Sequence, residues 1–451
     1  MKSAKNISLL LAVPVLLGTL VCVQHKKSEV VEAYIGNSLP TTIDLNDYSD
    51  NDIRSYYSNL NELTEVEKRG NNLLKNLKPI LKNNQKYYNY DSGDNIWKMY
   101  EITDRDWKKS PASSTTYGSF DASTNTITGY QYGSNNDAKN NPYIHALYIN
   151  RGVDNQTRAW GNHNQNEWGI NQEHVWPKAL GFENGGKGGA RGDPMHLMAG
   201  NGYANNIHSN DYYGYVDKSV SYTDCGNKYS NQSGNLSGKS KTLGGNVTVF
   251  EPQDSDKGDI ARAIFYMAAR YNYLSGSDSD GIDSNNPNLE IVDNLTSWQS
   301  SGYQSTTTLT GKIGLIQDLL EWNKIDPVDE HELHRNNLLC RNYTNNRNPF
   351  IDFPQWADLI WGADKESKFA NPSTDEIARP QDFVPPEDKK DDGLLFGLPK
   401  IVVYIGAGVL AVVVLIVVVV VFTKGSKKQK KTLKKVGKKI VKSTSKSKKK
   451  K

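Results

Sequence analysis

A run of apolar residues near the C-terminus constrains this chain more than any other feature. Residues 401–422, IVVYIGAGVLAVVVLIVVVVVF, contain no charged side chain. As a helix the segment would be about 33 Å long, which is enough to cross the hydrocarbon core of a bilayer. A helix buried in a soluble core is rarely apolar on every face. The run therefore predicts a single transmembrane helix at 401–422.

The charge that follows this run sets the predicted orientation. The tail at 423–451 holds 15 lysines and no acidic residue, and the positive-inside rule places such a tail in the cytoplasm. The body is then predicted to lie outside the cell. Because the net charge of the whole chain is only +4, the residues outside the tail together carry −11. A general basic surface for nucleic acid is therefore excluded, and a polyanion must be bound by local cations or by a metal ion.

The remaining boundaries follow from composition. Residues 1–24 begin with a short basic stretch and continue as an apolar run, the layout of a secretory signal. The cleavage site lacks the small-x-small pattern, so an uncleaved anchor is the alternative. A polar lead-in at 25–45 precedes the folded body at 46–363, and a charged, proline-containing stalk is predicted at 364–400.

The body shows short helical and strand patterns separated by polar segments. Apolar residues at helical spacing between 257 and 274 predict an amphipathic helix with one buried face. Residues rich in Thr, Tyr and Gly between 118 and 132 predict a β-hairpin. Helix caps are predicted at Asp50 or Asn51 and at Asp326. Together these patterns predict a mixed, loop-rich α+β domain.

The stretch INQEHVWPK at 170–178 places Glu173 and His174 side by side. Neighbouring strand residues point to opposite faces, so a role for both at one metal predicts a bent or bulged backbone. A histidine near a hard cation can take a proton from water, and carboxylate and amide oxygens suit Mg²⁺. These groups are sufficient to hydrolyse a phosphodiester, although the dipeptide alone does not distinguish catalysis from an incidental pair.

Five blocks of the body carry a more specific signal. In chain order they are NQEHVWPKALGF (171–182), GDPMHLMAGNGYANNIHSN (192–210), FEPQDSDKGDIARAIFYMAARY (250–271), LLEWNKIDPVDEHELHRNN (319–337) and NRNPFIDFPQWADLIWG (346–362). Together they resemble the endonuclease I family of secreted bacterial nucleases, in that family's order and over residues 46–363.

The resemblance implies a ββα-metal (His-Me finger) core with a histidine on a strand and a metal ligand on the following helix. It assigns the general base to His174 and the metal ligands to Glu173 and Asn205. It also implies hydrolysis of DNA, with RNA as a second substrate, little sequence preference, one Mg²⁺ (or Ca²⁺ or Mn²⁺ in its place) and 5′-phosphate products. The family's N-G-x-R-S-N run has His208 in place of its arginine here, which puts one phosphate or structural contact in doubt.

Four further residues are candidate substrate contacts. Lys187 and Arg191 lie in the glycine-rich stretch GFENGGKGGARGD, where backbone N–H groups can approach an anion; a merely flexible loop is the alternative. Arg347 serves either packing or substrate binding. His208 is the fourth candidate, at the position of the family's arginine.

Three other features have simpler interpretations. His196, inside the second block, is interpreted as structural. The Arg191-Gly192-Asp193 tripeptide matches an adhesion motif, but Asp193 belongs to the same block, so a chance match is favoured. The body holds two cysteines, Cys225 and Cys340, which form either one bridge or two free thiols.

The sequence therefore predicts a membrane-anchored extracellular nuclease that acts as a monomer on nucleic acid. Two rivals remain at this point. One is a ribonuclease with little activity on DNA, and the other is a non-catalytic surface adhesin built on a decayed nuclease fold. The intact Glu173, His174 and Asn205 argue against the adhesin.

Overall fold

The fold is taken from a computed structural model, which describes only part of the chain. The described residues are 33–34, 39–82, 85–87, 95–112, 118–132, 142–148, 157–158, 170–182, 189–225, 234–243, 247–272, 288–292, 311–362, 369–375, 377, 394–395 and 398–399. The chain divides into two units, Met1–Asp382 and Phe383–Lys451. The candidate site lies in the first unit.

Helices make up most of the regular structure in the described residues. The α-helices are α1 (Asp50–Tyr56), α2 (Gly70–Lys82), α3 (Asn95–Thr103), α4 (Gly202–His208), α5 (Lys257–Tyr271), α6 (Ile316–Ile325), α7 (Glu330–Leu338), α8 (Pro349–Asp352) and α9 (Trp356–Trp361). A π-helical segment, Leu339–Thr344, continues α7, and 3₁₀ turns occur at Ser58–Leu60, Gly189–Gly192 and Asp254–Asp256.

The strands are short and are distributed over several small sheets. They are β1 (Ala33–Tyr34), β2 (Ile43–Asp44), β3 (Lys86–Tyr87), β4 (Ser119–Asp121), β5 (Thr126–Thr128), β6 (Tyr143–Ile144), β7 (Thr157–Arg158), β8 (Ile170–His174), β9 (Leu197–Asn201), β10 (Tyr212–Tyr213), β11 (Tyr222–Asp224), β12 (Leu236–Lys239), β13 (Thr248–Glu251), β14 (Glu290–Ile291), β15 (Lys312–Ile313), β16 (Leu394–Leu395) and β17 (Leu398–Pro399). The last two form an antiparallel pair in the second unit.

The sheet pairings confirm the predicted mixed α+β class. The largest sheet has the order β10-β13-β12-β11, and a smaller one has the order β2-β5-β4. In the smaller sheet β4 and β5 form the hairpin predicted between 118 and 132, with Ser119 opposite Thr128. Asn125 takes a left-handed conformation (φ 50°) in the connecting turn, a conformation that asparagine tolerates better than most residues.

Helix α5 lies at the centre of the first unit. The helix predicted between 257 and 274 is confirmed, but the prediction of one buried face was wrong, because every residue of α5 is buried. Helices α2, α6 and α8 pack around it. Its charged side chains are paired within the core: Arg262 Nε donates to Glu332 Oε1 at 2.7 Å, and Lys257 Nζ to Glu251 Oε1 at 3.0 Å.

Two helix caps differ from the predicted ones. Ser49 caps α1 by accepting a hydrogen bond from the backbone N–H of Asp52, in place of Asp50 or Asn51. Asp329 caps α7, in place of Asp326. The carboxylate of Asp326 is already used, because it accepts a hydrogen bond from the backbone N–H of Gly258 at 2.8 Å. Several acceptors compete near each helix start, and the tertiary contacts select among them.

Part of the segment predicted as a stalk packs against the body. Phe369 stacks on Trp356 with ring centroids 5.4 Å apart, and Trp356 Nε1 donates to Ala370 O at 3.2 Å. The fold of the first unit thus extends beyond residue 363. No helix among the described residues is long and apolar enough to cross a membrane. The predicted membrane span at 401–422 and the N-terminal segment 1–24 lie outside the described residues.

Cys225 and Cys340 are both buried and both free. The Cys340 thiol accepts a hydrogen bond from the Tyr48 hydroxyl at 3.3 Å, and the Cys225 thiol donates to the carbonyl of Thr223 at 3.6 Å. Of the two alternatives for these cysteines, the structure therefore shows free thiols.

Candidate active site

Two antiparallel strands and a short helix form the candidate site. Strand β8 pairs with β9 in one-to-one register, from Ile170 opposite Asn201 to His174 opposite Leu197. Helix α4 begins directly after β9, and Asn201 caps it because its Oδ1 accepts a hydrogen bond from Ala204 N at 3.0 Å. Helix α4 packs back against both strands. The result is a continuous strand-strand-helix unit.

Glu173 and His174 lie on opposite faces of β8, because successive strand residues alternate. Of the bent or bulged backbone expected here, the paired residues show no bulge: the ladder runs through Glu173 and His174 without interruption, and the chain bends directly after them, at Val175 and Trp176. A bulge is unnecessary because each side chain has its own set of neighbours. The strand therefore keeps the carboxylate and the imidazole in separate surroundings.

His174 is held as a neutral imidazole. Its Nε2 lies 3.0 Å from the carbonyl oxygen of Arg191; since a carbonyl can only accept, Nε2 carries the proton and Nδ1 carries the lone pair. The rings of Phe182 and His196 flank the imidazole. Burial lowers the pKa of His174 well below its ordinary value of 6.5, and nearby His196 and Lys178 lower it further. Such an imidazole can accept a proton from water.

His196 has a structural place beside His174. It is fully buried, its Nε2 donates to Ala190 O at 2.8 Å, and its Nδ1 accepts from Trp176 N at 3.4 Å. Burial lowers the pKa of His196 to about 3. The successive carbonyls of Ala190 and Arg191 thus orient both histidines, so the turn Gly189–Gly192 sets the orientation of both rings.

Asp193 anchors this turn to α5 through a network that the sequence did not predict. The carboxylate is fully buried and accepts hydrogen bonds from Gln85 Nε2 (2.6 Å), Tyr266 OH (2.8 Å), Tyr271 OH (2.9 Å) and Met195 N (2.9 Å). Burial raises the pKa of Asp193. Its side-chain partners are far away in sequence, which explains why they were missed. The burial also agrees with a chance match to the adhesion tripeptide, because the carboxylate does not reach the surface.

Glu173 receives all of its described hydrogen bonds on one oxygen. The donors to Oε1 are Tyr148 OH at 2.8 Å, His208 Nδ1 at 3.0 Å and Tyr213 OH at 3.3 Å. Within the described residues no donor reaches Oε2. Only 2% of the residue is exposed. Since hard divalent cations prefer oxygen ligands, Oε2 is the atom of Glu173 that fits a metal ion.

Helix α4 brings His208 and Asn205 to the same side. His208 is 1% exposed and lies between Glu173 Oε1 and the carbonyl of Asp211, to which its Nε2 donates at 3.0 Å. This placement favours a structural contact over a phosphate contact for His208. Asn205 lies three residues earlier, on the same helix face. In the described part of the chain no hydrogen bond involves its side-chain amide.

The residues present fit a hard cation. Glu173 and Asn205 offer one carboxylate and one amide oxygen, and Mg²⁺ usually keeps several waters, so two protein ligands are sufficient. Across the residues that the structure describes, no group of three or more His, Cys, Asp or Glu side chains could hold a metal ion.

Among the described residues, the cations Lys178 and Arg191 act on His174. Arg191 belongs to the turn whose carbonyl binds His174, and the charges of Lys178 and Arg191 both lower the pKa of His174. Lys178 was not predicted as a site residue, although it ends the INQEHVWPK stretch. Its signal was present in the sequence as a basic residue four positions after the histidine. Lys187 lies outside the described residues.

Arg347 lies in the core, away from solvent. It and Asp352 are both fully buried, with Arg347 Nη2 at 2.6 Å from Asp352 Oδ1 and Nη1 at 2.8 Å from Asn337 Oδ1. The ring of Tyr48 lies 4.6 Å from the guanidinium carbon. Of the two alternatives for Arg347, this placement favours packing.

The strand-strand-helix unit thus carries a candidate hydrolytic metal centre, made of the carboxylate of Glu173, the amide of Asn205 and the neutral imidazole of His174. The model of the Endonuclease I family matches residues 69–355 of this chain. Because that match covers more than half of the chain, the protein belongs to the endonuclease I family.

Two relatives of known description are similar over part of their length. The extracellular ribonuclease of Bacillus subtilis (strain 168) is 34% identical over 226 residues, which are 50% of this chain and 64% of the relative. The extracellular ribonuclease of Bacillus amyloliquefaciens is 36% identical over 192 residues, which are 42% of this chain and 53% of the relative. The chain thus spans less than two thirds of either relative. No solved structure matches it significantly.

Proposed function

We propose that the chain is an extracellular endonuclease of the ββα-metal type that hydrolyses phosphodiester bonds with little sequence preference. One observation carries the proposal: β8 presents Glu173 and the neutral His174, and the helix that follows β9 presents Asn205. Membership of the endonuclease I family supports it.

In the proposed mechanism His174 Nδ1 takes a proton from the attacking water. The hydrogen bond from Nε2 to the Arg191 carbonyl keeps the ring in the required tautomer and stabilises the imidazolium that forms. Glu173 and Asn205 would hold Mg²⁺, or Ca²⁺ or Mn²⁺ in its place. When bound, such an ion offsets the negative charge that builds on the phosphate oxygens and on the departing 3′ oxygen. The products carry a 5′-phosphate.

The substrate phosphate is proposed to bind at the C-terminal end of β8. His174 is the last residue of that strand, so a phosphate at this end can meet groups from both faces. Lys178 and Arg191 are the described cations near the base and would contact the substrate backbone, together with Lys187. Because the residues outside the tail at 423–451 together carry −11, few other cations would take part.

DNA and RNA are both proposed substrates. Water as the nucleophile needs no 2′-hydroxyl, so the chemistry does not itself select one sugar. The names of the two relatives, both extracellular ribonucleases, favour a second candidate function, a ribonuclease with little activity on DNA. Parallel assays on plasmid DNA and on RNA of equal length distinguish the two.

The cellular location is proposed from the sequence and from the relatives. Residues 1–24 would direct export, 46–363 would form the nuclease domain outside the cell, and 401–422 would span the membrane with the tail at 423–451 inside. A nuclease at this position could release nucleotides for uptake. Protease treatment of intact cells tests the topology, since a body protected from digestion would place it inside.

Catalysis is tested with the purified full chain, plasmid DNA, RNA and Mg²⁺. His174→Ala should lower the cleavage rate by about 10²–10⁴, the usual contribution of a general base, and removal of divalent ions should abolish cleavage. His334→Ala is the matched control, because His334 contacts Asp47 on the outside of α7. Equal cleavage by the wild type and His174→Ala would refute the assignment. Cleavage by neither would favour the adhesin.

A further inference from the structure

Three side chains converge on one oxygen of Glu173, Oε1. None of them belongs to the proposed catalytic residues Glu173, His174 and Asn205. We propose that Tyr148, Tyr213 and His208 form a carboxylate clamp that holds Glu173 Oε1 and leaves Oε2 as the single ligand oxygen for the divalent cation. The inference rests on the proposed function, since it concerns the cation assigned to Glu173. In the clamp these three residues position Glu173, and none of them is placed on the substrate.

The hydroxyl protons give the two tyrosines unequal roles. Three short contacts join Tyr148, Tyr213 and Glu173: 2.8 Å from Tyr148 OH to Oε1, 3.3 Å from Tyr213 OH to Oε1, and 2.7 Å between the two hydroxyls. Only two protons serve these contacts. The two shortest are satisfied together when Tyr148 donates to Glu173 and Tyr213 donates to Tyr148. Tyr213 therefore acts mainly through Tyr148.

The backbone of Tyr148 is held in a conformation that a bulky residue rarely adopts. Its φ is 66°, in the left-handed region. The conformation is fixed on both sides: Tyr148 N donates to Asp256 Oδ2 at 2.6 Å, and Tyr148 O accepts from Asn235 Nδ2 at 3.0 Å. Strain of this kind persists only where surrounding structure enforces it, and it is typical of functional sites. Here it directs the Tyr148 hydroxyl at Glu173.

His208 is fixed in orientation by its other neighbours. Its ring stacks on Tyr213 with centroids 4.4 Å apart, and Phe250 lies 5.1 Å away on a tilted plane. The Nε2 hydrogen bond to the Asp211 carbonyl then aims Nδ1 at Glu173 Oε1. Both ring nitrogens thus face acceptor oxygens, Nδ1 that of Glu173 and Nε2 that of Asp211.

Gly200 provides the space in which the clamp closes. A Cβ atom at this position would lie 3.0 Å from the Cβ of Glu173 and 3.7 Å from Cδ2 of Tyr148. The first distance is tighter than ordinary van der Waals contact and the second is not, so a side chain at this position of β9 would displace Glu173 from its place beside Tyr148. A glutamate bound to Mg²⁺ through one oxygen leaves more of the octahedral shell for water and phosphate, which is the consequence that we assign to the clamp.

The clamp is tested without measuring activity. Binding of Mn²⁺ to the full chain, in the absence of nucleic acid, is measured by electron paramagnetic resonance. Tyr148→Phe should weaken Mn²⁺ binding by about 10–100-fold, the usual effect of removing a hydrogen bond to a ligand, and Tyr213→Phe should have a smaller effect. At His208 two amides form a matched pair. His208→Asn places an N–H near the position of Nδ1 and should bind nearly as the wild type does. His208→Gln places its N–H near Nε2 and should bind as weakly as Tyr148→Phe.

Thermal unfolding without metal shows that each variant is folded, and Glu173→Ala identifies the site that the ion occupies. Wild-type affinity in folded Tyr148→Phe and His208→Gln, with binding lost in Glu173→Ala, would overturn the clamp and leave the metal site standing. Equal Mn²⁺ affinities of the His208→Asn and His208→Gln variants would show that His208 is not part of the clamp. Binding by Glu173→Ala at wild-type strength, or none by the wild type, would overturn the proposed metal site together with the clamp.

Discussion

Replacement of Arg347 by methionine should lower the free energy of unfolding by about 3–5 kcal/mol, the usual cost of removing one partner from a buried ion pair. Both Arg347 and Asp352 are fully buried. The guanidinium makes two hydrogen bonds to the carboxylate, at 2.9 and 2.6 Å. In Arg347→Met, the donors left to the Asp352 carboxylate among the described side chains would be the hydroxyl of Tyr57 and the amide of Asn336. The loss arises from an uncompensated buried charge.

The assay is urea-induced unfolding of the full chain, with the free energy of unfolding extrapolated to water. Lys108→Met is the matched control. Lys108 and Glu330 are 2.7 Å apart, nearly the same distance as the buried pair, but their side chains are 78% and 65% exposed. An exposed pair contributes about 0–1 kcal/mol. Burial is therefore the main variable that separates the two substitutions.

The double variant Arg347→Met with Asp352→Leu completes the cycle. It removes both charges and should recover part of the stability, because no buried charge is left unpaired. A free energy of unfolding for Arg347→Met within 1 kcal/mol of the wild-type value, together with a raised KM for nucleic acid, would refute this reasoning. It would instead place Arg347 at the substrate.

Three further predictions concern His196, Lys178 and the substrate. Burial lowers the pKa of His196 from 6.5 to about 3, so below pH 6.5 the unfolded chain binds a proton that the folded chain does not. The contribution of His196 to stability is therefore full above pH 6.5 and is lost as the pH falls toward 3, with a tenfold change in the folding constant per pH unit. His196→Gln should reduce this pH dependence when urea unfolding is measured at pH 7 and pH 5. Lys178→Met should raise KM for DNA and RNA several-fold while kcat changes little, which steady-state kinetics can check; an unchanged KM would remove Lys178 from the substrate path. Finally, affinity should fall only gradually with salt, because few phosphate contacts release few counterions; a steep slope of log affinity against log salt concentration would contradict this.

The sequence predicted the position of α5 well because helical periodicity is a local signal. It could not predict that all faces of α5 are buried. Arg262 and Lys257 look like solvent-facing residues in the sequence, and only the fold places Glu332 and Glu251 beside them. Glu332 lies 70 residues from Arg262, and charge pairing over such a distance leaves no periodic pattern to detect.

The same distinction applies at the candidate site. Glu173 and His174 stand out in the sequence because they are adjacent within a specific motif. Tyr148 and Tyr213 do not, since the chain contains 25 tyrosines and nothing local marks the two that contact Glu173. Their selection depends on the β8–β9 pairing and on the unusual backbone at Tyr148. The predicted roles of Glu173, His174 and Asn205 themselves await the experiments described above.

The separation of Glu173 and His174 by the plane of β8 has a consequence for how such nucleases diversify. Neighbours of the carboxylate come from α4, β10 and the segment around Tyr148, whereas the imidazole is surrounded by the turn Gly189–Gly192 and Phe182. A substitution that touches only one set of neighbours leaves the described contacts of the other set in place. Under the proposed mechanism, selection could therefore change the ion bound at Glu173 while the surroundings of His174 stay intact.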